Sequence, residues 1–336
     1  MSDLVCILLK ILLTVFALCI VLFFLIYGAI YFFVYKKNFS RFEKPRGFQF
    51  EGGELAKYND DFEKEANWFL SQNPVKVQIT SNDSIKLTGD FLPIGKNEYS
   101  SDSDAFEQAK SAAATVILCH GFMGYGLRDF AVVFRTYHEM NFNILVINQR
   151  AHGDSGGNTI TFGYNERYDI RNWIYFVNSK IGEKLPVVLD GVSMGCASVL
   201  MCLGLSLPQN VKASIADCGY TTPYAIMKKV FCGTTHLPEH PFMDIANLVV
   251  KNHAHFSLKS VSATEAMKNN KVPVFFAHGK SDDFVPCQMT LENYNACAAQ
   301  KHLLLVENAG HCMCVLVAHE QYIRELKEFL HQFIDF

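Results

Sequence analysis

The sequence carries little excess charge of either sign, and it lacks the basic stretches typical of nucleic-acid-binding proteins. Its 336 residues include 30 Lys and Arg against 33 Asp and Glu, a formal net charge of −3. Basic side chains interleaved with aromatic ones do not form a stripe, which argues against nucleic acid as a partner. Half of the residues are hydrophobic, so the chain can bury a large core and disorder is not expected.

A disulfide framework is also missing, although the sequence holds 11 cysteines. Their number is odd, their spacing is irregular, and Cys119, Cys196 and Cys202 sit inside apolar runs. Such positions are typical of buried, reduced thiols. We therefore expect the body of the protein to occupy a reducing compartment.

Charge is absent from one long N-terminal run, ILLTVFALCIVLFFLIYGAIYFFVY, residues 11–35. A helix rises about 1.5 Å per residue, so this run is long enough to cross roughly 30 Å of hydrocarbon. It is longer than the apolar region of a secretory signal peptide, and it lacks the polar face of a core helix. The run predicts a single transmembrane anchor over residues 1–36.

Basic residues are distributed unequally around this run. One of them, Lys10, precedes it. Five follow it closely: Lys36, Lys37, Arg41, Lys44 and Arg46. Because positive charge is enriched on the cytoplasmic side of anchors, the bias predicts a cell-membrane protein with a cytoplasmic C-terminal domain. Two glycosylation sequons, at Asn38 and Asn82, would matter only if that domain faced a secretory lumen.

A linker and a helix are expected between the anchor and the body, over residues 37–74. Pro74 ends the helix. Its apolar residues recur at helical spacing: Leu55, Tyr58, Phe62, Ala66 and Phe69. We expect this segment to space the anchor from the body, and packing of the helix on the body is a simpler alternative than a separate partner-binding role.

Residues 75–336 alternate between apolar runs and stretches with helical periodicity. VKVQIT and SIKLTGDFLP alternate apolar and polar residues around a turn, which is typical of a hairpin. Six later runs are continuously apolar: ATVILC, FNILVIN, PVVLD, ASIAD, VPVFFAH and HLLLVE. This order predicts an α/β fold with a mostly parallel, doubly wound sheet and an antiparallel start. The long interval between ASIAD and VPVFFAH predicts a small helical cap over about residues 220–270.

A serine between two glycines follows the strand PVVLD, in the stretch Gly191-Val192-Ser193-Met194-Gly195. A strand before the serine and a helix after it are the setting of a nucleophile elbow. The alternative is a small residue in a packing turn, because the five-residue pattern is common. If Ser193 is a nucleophile, it needs a base, a group that orients the base, and donors for an oxyanion.

The required partners follow in chain order at the ends of later strands. Asp282 lies just past VPVFFAH, and His311 lies just past HLLLVE. Carboxyl ends of parallel strands meet at one edge of the sheet, so these side chains should converge on Ser193. Asp283 is an alternative to Asp282. The glycine-bearing loop LCHGFMG, residues 118–124, could form one half of an oxyanion hole, with the N–H of Met194 as the other half.

These motifs resemble the α/β-hydrolase superfamily over about residues 75–336. His120-Gly121 matches the family's HG motif, HGKSDDFVP matches its acid loop, and RAHGDSGG mirrors RGHGxSxG. The resemblance implies that the backbone of Phe122 is the second oxyanion donor. The chain is most similar to bacterial membrane-anchored hydrolases of the serine aminopeptidase-like and dienelactone hydrolase-like groups. Ala151 departs from the pattern where a glycine is usual, and so does Asn148 where an aspartate is common.

The sequence thus predicts a membrane-anchored serine hydrolase that cleaves a carboxylic ester, such as a lipid or other acyl ester, through an acyl-enzyme on Ser193. A peptidase, a thioesterase, an acyltransferase or a non-catalytic membrane-tethered binding module are the alternatives. No cofactor and no metal are expected, because Pro238 breaks the pair His236 and His240 and no further ligand pattern completes it. His120 and His278 are expected to support loops, and the cysteines near His311 to be structural. The sequence does not fix the oligomeric state.

Overall fold

A computed structural model describes residues 2–43, 49–50, 52–95 and 98–336 of the chain. Lys44 and Arg46, two of the basic residues in the orientation argument, lie outside these described ranges. The described residues form one body built on an eight-stranded sheet, with a long helix at the N-terminus.

The eight strands occupy the runs expected from the sequence. They are β1 (Val75–Thr80), β2 (Lys86–Leu92), β3 (Ala114–Cys119), β4 (Phe142–Asn148), β5 (Val187–Val192), β6 (Val211–Asp217), β7 (Val274–Gly279) and β8 (Lys301–Val306). Their order across the sheet is β1-β2-β4-β3-β5-β6-β7-β8. β1 pairs antiparallel with β2, and β2 with β4, whereas the other neighbours are parallel. The predicted sheet with its antiparallel start is confirmed.

The α-helices surround this sheet and form the cap and the N-terminal helix. They are α1 (Ser2–Ile30), α2 (Lys37–Phe39), α3 (Asn59–Ser71), α4 (Asp102–Ala109), α5 (Gly126–Asp129), α6 (Phe134–Glu139), α7 (Glu166–Ile181), α8 (Met194–Leu203), α9 (Pro223–Thr235), α10 (Phe242–Ala254), α11 (Ala263–Met267), α12 (Cys287–Ala296), α13 (Cys314–Val317) and α14 (His319–Leu330). Between β6 and β7 lie α9, α10 and α11, where the cap is expected.

Two apolar cores lie on the two faces of the sheet. One contains Trp173 of α7 and most of α8, and the other contains Phe134 of α6 and Leu326 of α14. Burial on both faces explains why the parallel strands read as continuous apolar runs. The strand order reverses between β3 and β5, so the carboxyl ends of these two strands flank the crevice where such sheets bind ligands.

Helix α3 belongs to one of these cores. Its Phe62, Ala66 and Phe69 are buried, and the rings of Phe69 and Phe134 lie 4.5 Å apart between centroids. Helix α3 therefore packs on the body, as the simpler alternative has it, and α6 covers part of its apolar stripe.

The N-terminal helix is exposed along most of its length. It continues through a π-helical stretch, Tyr31–Lys36, into α2, and the described span 3–39 is long and apolar enough to cross a membrane. Its most apolar window has a mean hydropathy of 3.0 and is wholly exposed. Near its end the helix packs on the cap, where the Tyr27 hydroxyl lies 3.1 Å from Nε2 of His253.

Candidate active site

Ser193 occupies the sharp turn between β5 and α8. Its backbone has φ of 55° and ψ of −117°, a left-handed conformation that is strained for a residue with a side chain. The flanking glycines permit the turn: a Cβ on Gly195 would lie 1.8 Å from the carbonyl oxygen of Cys119, and one on Gly191 would lie 2.6 Å from the Gly195 backbone. This close strand-to-helix approach is the geometry expected of a nucleophile elbow.

The three residues singled out in the sequence come together at the carboxyl edge of the sheet. Nε2 of His311 lies 2.9 Å from Oγ of Ser193, and Nδ1 of His311 lies 2.6 Å from Oδ2 of Asp282. Asp282 follows β7 and His311 follows β8, as the chain order predicts. The side chains therefore form an unbroken hydrogen-bonded row, Ser193–His311–Asp282, with the spacing that proton transfer between serine and imidazole requires.

The Asp282 carboxyl group is fully buried and tightly held. Its Oδ1 accepts hydrogen bonds from the backbone N–H groups of Phe284 and Val285, both at 2.9 Å. Burial acts to raise its pKa, but the hydrogen bonds from His278 and His311 outweigh burial and hold the pKa well below its usual range. Asp283, the alternative acid, is exposed and is not part of this row.

His278 is a part of the site that the sequence reasoning treated only as loop support. Its Nε2 lies 3.1 Å from Oδ2 of Asp282 and 2.9 Å from the carbonyl oxygen of Val285, while Nδ1 lies 2.7 Å from the Thr290 hydroxyl. With the Nε2 proton directed to these two oxygens, the imidazole of His278 holds the same carboxylate oxygen, Oδ2, that His311 contacts. The four-residue spacing of His278 and Asp282 in HGKSD was the available signal.

Neighbouring side chains shift the pKa of the His311 imidazole. Burial lowers its pKa, and the neighbouring Cys218 and Asp282 side chains raise it, with a net shift upward. Because burial also raises the pKa of the Cys218 thiol well above its usual range, that thiol is neutral. The charge that favours the imidazolium form is therefore that of Asp282.

Backbone donors for an oxyanion surround Ser193. Met194 is the first residue of α8, whose first N–H groups have no acceptor within the helix. A Cβ on Gly121 would lie 3.4 Å from the Cβ of Ser193, so the loop after β3 runs directly past the nucleophile. The Gly121 N–H donates to Asp129 at 3.2 Å, which leaves Phe122 as the loop's candidate donor.

His120 holds this loop in place, as expected of a loop-supporting residue. Its Nε2 accepts from the N–H of Gln149 at 3.0 Å, so its proton lies on Nδ1, which donates to the carbonyl oxygen of Gly121 at 2.8 Å. Burial lowers the pKa of His120 to about 4, and the ring is therefore neutral. A neutral, fixed imidazole is suited to shaping the loop and not to moving protons.

The loop RAHGDSGG lies next to the site and explains one departure from the family pattern. Ala151 has a φ of 59°, which is the conformation that favours the glycine usually found there. Asn148, in place of the usual aspartate, donates to the Thr88 hydroxyl at 3.0 Å. Arg150 is buried and forms ion pairs with Asp169 and Asp83, so it anchors the loop to α7 and to the turn between β1 and β2.

A cysteine pair lies beside the candidate base. Sγ of Cys218 and Sγ of Cys312 are 3.5 Å apart, and both lie within 4.8 Å of a ring nitrogen of His311. Of the two histidines weighed as metal ligands in the sequence, His240 contacts Asp244, with Nδ1 2.6 Å from Oδ2.

Two cavities meet at Ser193. One of about 190 Å³ is lined by Arg128, Asp129 and Phe50 besides Ser193 and His311. The other, of about 100 Å³, touches Ser193, Phe122 and Met194, and cap residues close it. A carbonyl group held between Phe122 and Met194 would thus have space on both sides of the nucleophile.

The fold and the arrangement at Ser193 define a class, the serine hydrolases with the α/β-hydrolase fold. The sequence profile of the prolyl oligopeptidase family matches residues 130–335, more than half of the chain. The chain belongs to the prolyl oligopeptidase family. It is therefore a serine hydrolase, and the superfamily expected from the motifs is confirmed.

Individual proteins similar to this chain include one curated relative and two solved structures. The uncharacterized protein YqkD of Bacillus subtilis (strain 168) is 26% identical over 216 residues, 64% of this chain and 70% of YqkD. The esterase Pf2001 of Pyrococcus furiosus aligns with a TM-score of 0.62 at 20% identity, covering 88% of this chain and all of that one. The acylaminoacyl peptidase of Pyrococcus horikoshii aligns with a TM-score of 0.51 at 17% identity, covering 77% of this chain and 40% of that one. These structural similarities show the fold alone.

Proposed function

We propose that the protein is a membrane-anchored hydrolase of carboxylic esters that uses Ser193 as nucleophile, His311 as general base and Asp282 as the group that orients His311. The observation that carries this proposal is the unbroken hydrogen-bonded row from Ser193 through His311 to the buried carboxylate. The strained turn at Ser193 supports it, since such strain is kept where it exposes a reactive side chain.

The reaction follows from these positions. Nε2 of His311 takes the proton from Oγ of Ser193 as Oγ attacks the ester carbonyl carbon, and the N–H groups of Phe122 and Met194 donate to the oxyanion. Collapse of this intermediate breaks the bond to the alcohol, which leaves with the proton from His311. Water then attacks the acyl-enzyme and gives a proton to Nε2. The acid departs, and Ser193 regains its proton.

The same row of residues could cleave an amide, so a peptidase is the second candidate function. Fold neighbours of both kinds exist, an esterase and an acylaminoacyl peptidase. We favour esters because the cavity beyond Ser193 on the cap side is apolar, which suits a hydrocarbon acyl chain, whereas the acyl part of a peptide carries polar backbone groups that would need partners there. Comparison of kcat/KM for a p-nitrophenyl ester and the matched p-nitroanilide tests the choice, and faster anilide cleavage would reverse it.

A fluorophosphonate probe tests the nucleophile directly. We expect the probe to label the full-length protein at Ser193 and to leave the Ser193→Ala variant unlabelled, because the probe reacts only with an activated serine. Ser198, which is buried in α8 and donates to the carbonyl oxygen of Met194, provides the control position for Ser→Ala. If the folded wild-type protein stays unlabelled, the non-catalytic binding module becomes the better account.

The membrane position is also part of the proposal. The exposed, apolar helix at the N-terminus supports an anchor, and the basic residues after it favour a hydrolase domain on the cytoplasmic side. Protease treatment of intact cells should leave the domain undigested, whereas treatment of permeabilised cells should remove it. Digestion from outside would overturn this orientation.

A further inference from the structure

A large apolar cavity separates the end of the N-terminal helix from the cap. Its volume is about 450 Å³, a size typical of small-molecule sites. Ile30, Phe33 and Val34 line it on one side, and Met227, Val230 and Phe231 of α9 line it on the other. This cavity is distinct from the one lined by Arg128 and Asp129.

This cavity borders the small one that reaches Ser193. Asn38, Met227 and Val230 line both, so these side chains form the boundary between the two spaces, here called the constriction. Beyond it, the small cavity touches Ser193, Phe122 and Met194, the nucleophile and the two candidate oxyanion donors. Together the two cavities outline an apolar path, interrupted at these three side chains, from the side of the N-terminal helix to the point where a scissile carbonyl would lie.

Contacts between the helix and the cap hold the walls of this path in place. The Tyr27 hydroxyl accepts a hydrogen bond from Asn252 at 3.1 Å, and the rings of Tyr31 and His253 lie 4.5 Å apart between centroids. Farther along, Phe39 contacts Phe162 at 4.9 Å between centroids. The end of the anchor is thus a structural part of the cavity wall.

If the N-terminal run spans the bilayer, the outer mouth of the path lies at the level of the bilayer surface. Twenty residues of helix span roughly 30 Å, so a hydrocarbon layer entered at Ile11 ends near Ile30. Ile30 lines the large cavity, and Phe33, 78% exposed, lies at its rim. Lys36 and Lys37 follow at the depth of the headgroups, and Leu237 of the cap exposes an apolar side chain nearby.

We propose that this path admits the acyl chain of a bilayer lipid, so that the substrate is a lipid carboxylic ester drawn from the membrane with its chain between the anchor and α9. The inference rests on the proposed ester hydrolysis at Ser193. An acyl chain is the occupant because the path is apolar, narrow at Val230, open at the membrane surface and closed at a hydrolytic serine. The alcohol portion of the lipid occupies the cavity lined by Arg128 and Asp129.

The first experiment measures occupancy without chemistry. The full-length Ser193→Ala variant, in phosphatidylglycerol nanodiscs, is irradiated with a diazirine analogue of palmitic acid and the cross-linked peptides are mapped. We expect cross-links on α9 and on residues 26–38. Val230→Trp in the same background fills the constriction and should reduce cross-linking to Met194 and Phe122 at least tenfold. Cross-links confined to the exposed part of α1 would overturn the path, as would cross-linking insensitive to Val230→Trp.

The second experiment measures chain-length preference with Ser193 intact. We expect Val230→Trp to lower the ratio of kcat/KM for p-nitrophenyl palmitate over butyrate at least tenfold. Leu248→Trp adds the same side chain to an exposed site on α10 and should leave this ratio within twofold. Met227→Phe is a milder enlargement for use if Val230→Trp does not fold, as judged by fluorophosphonate labelling.

The two proposals fail in different ways. If Ser193 is labelled and butyrate is cleaved but the palmitate ratio is unchanged in Val230→Trp and Met227→Phe, the lipid path is wrong and the hydrolase stands. If no ester is cleaved and no serine is labelled, yet the fatty acid cross-links along the path, the hydrolytic function is wrong. A protein segment as occupant would show as failure of the fatty acid to cross-link, which contradicts the lipid path.

Discussion

The two sides of Ser193 differ in chemistry. On the cap side, Met227 and Val230 border two apolar cavities, one at Ser193 and one at the end of the N-terminal helix. On the opposite side, the cavity includes an Arg128–Asp129 ion pair, with the Arg128 guanidinium 4.0 Å from the centroid of the Phe50 ring. One side suits hydrocarbon, and the other offers charge as well as apolar surface.

Because of this difference, the acyl half and the alcohol half of an ester can occupy separate cavities. The acyl half needs only exclusion of water, and it gains roughly 0.8 kcal/mol for each buried methylene group. The alcohol half, if it is a lipid headgroup, needs polar partners. The row Ser193–His311–Asp282 lies between the two sides and should serve any acyl chain equally. Substitutions can therefore be sorted by whether they affect the reaction as a whole or one side of it.

The largest effect is expected from Asp282→Asn, which should act on the reaction as a whole. Loss of the charge that orients His311 should lower kcat/KM by about 10⁴-fold, by the same factor for butyrate and palmitate esters. His311 acts as a base only when neutral, and the Asp282 charge raises its pKa. The acid limb of the pH profile should therefore move to lower pH in the variant, measured from roughly pH 6 to 10.

Asp283→Asn is the matched control for this prediction. Asp283 is exposed next to the site, so its charge is screened and both the rate and the profile should stay near wild type. If Asp283→Asn were instead the more damaging change, the assignment of the acid would be wrong. A loss in Asp282→Asn that differed between short and long chains would show that Asp282 also shapes one side of the site.

His278→Leu should lower kcat by an intermediate amount, and equally for butyrate and palmitate esters. The substitution leaves one oxygen of the buried Asp282 with one partner fewer, which costs about 1.4 kcal/mol, or about tenfold. We expect the loss in kcat with KM unchanged, since His278 touches the acid and lines neither cavity at Ser193. His278→Gln can still donate to Asp282 and should recover most of the rate. Equal losses of kcat in His278→Leu and His278→Gln would show that His278 acts through packing alone.

The smallest effect is expected from Arg128→Ala, and it should appear on one side only. Arg128 is already paired with Asp129, so its attraction for an anionic alcohol portion is worth at most about 1 kcal/mol. We expect about a threefold lower kcat/KM for the butyryl ester of 4-hydroxybenzoate relative to the neutral p-nitrophenyl ester. Arg135→Ala, which removes a guanidinium paired with Glu65, is the control. A change in the ratio of kcat/KM for palmitate over butyrate in Arg128→Ala would contradict the assignment of the acyl and alcohol halves to separate cavities.

Much of the fold could be predicted from the sequence because strands buried on both faces have a recognisable pattern. Six apolar runs and one hairpin became the eight strands, and the elbow at Ser193 follows from two glycines at a strand end. The register of the acid loop favours Asp282, but composition leaves Asp283 open, since both are acids in one loop and only the direction of the side chain differs. The contact of His278 with Asp282 was missed for the same reason.

The sequence alone determined the apolar N-terminal run, the strand order along the chain, and the residue types at Ser193, Asp282 and His311, because these depend on local pattern and spacing. Tertiary structure alone decided that α3 packs into the core and that the end of α1 lies against the cap. Contacts such as that of Tyr27 with His253 join residues more than two hundred positions apart. Such contacts depend on how the whole sheet places its helices, and they create the apolar path to Ser193 that no single stretch of the sequence contains.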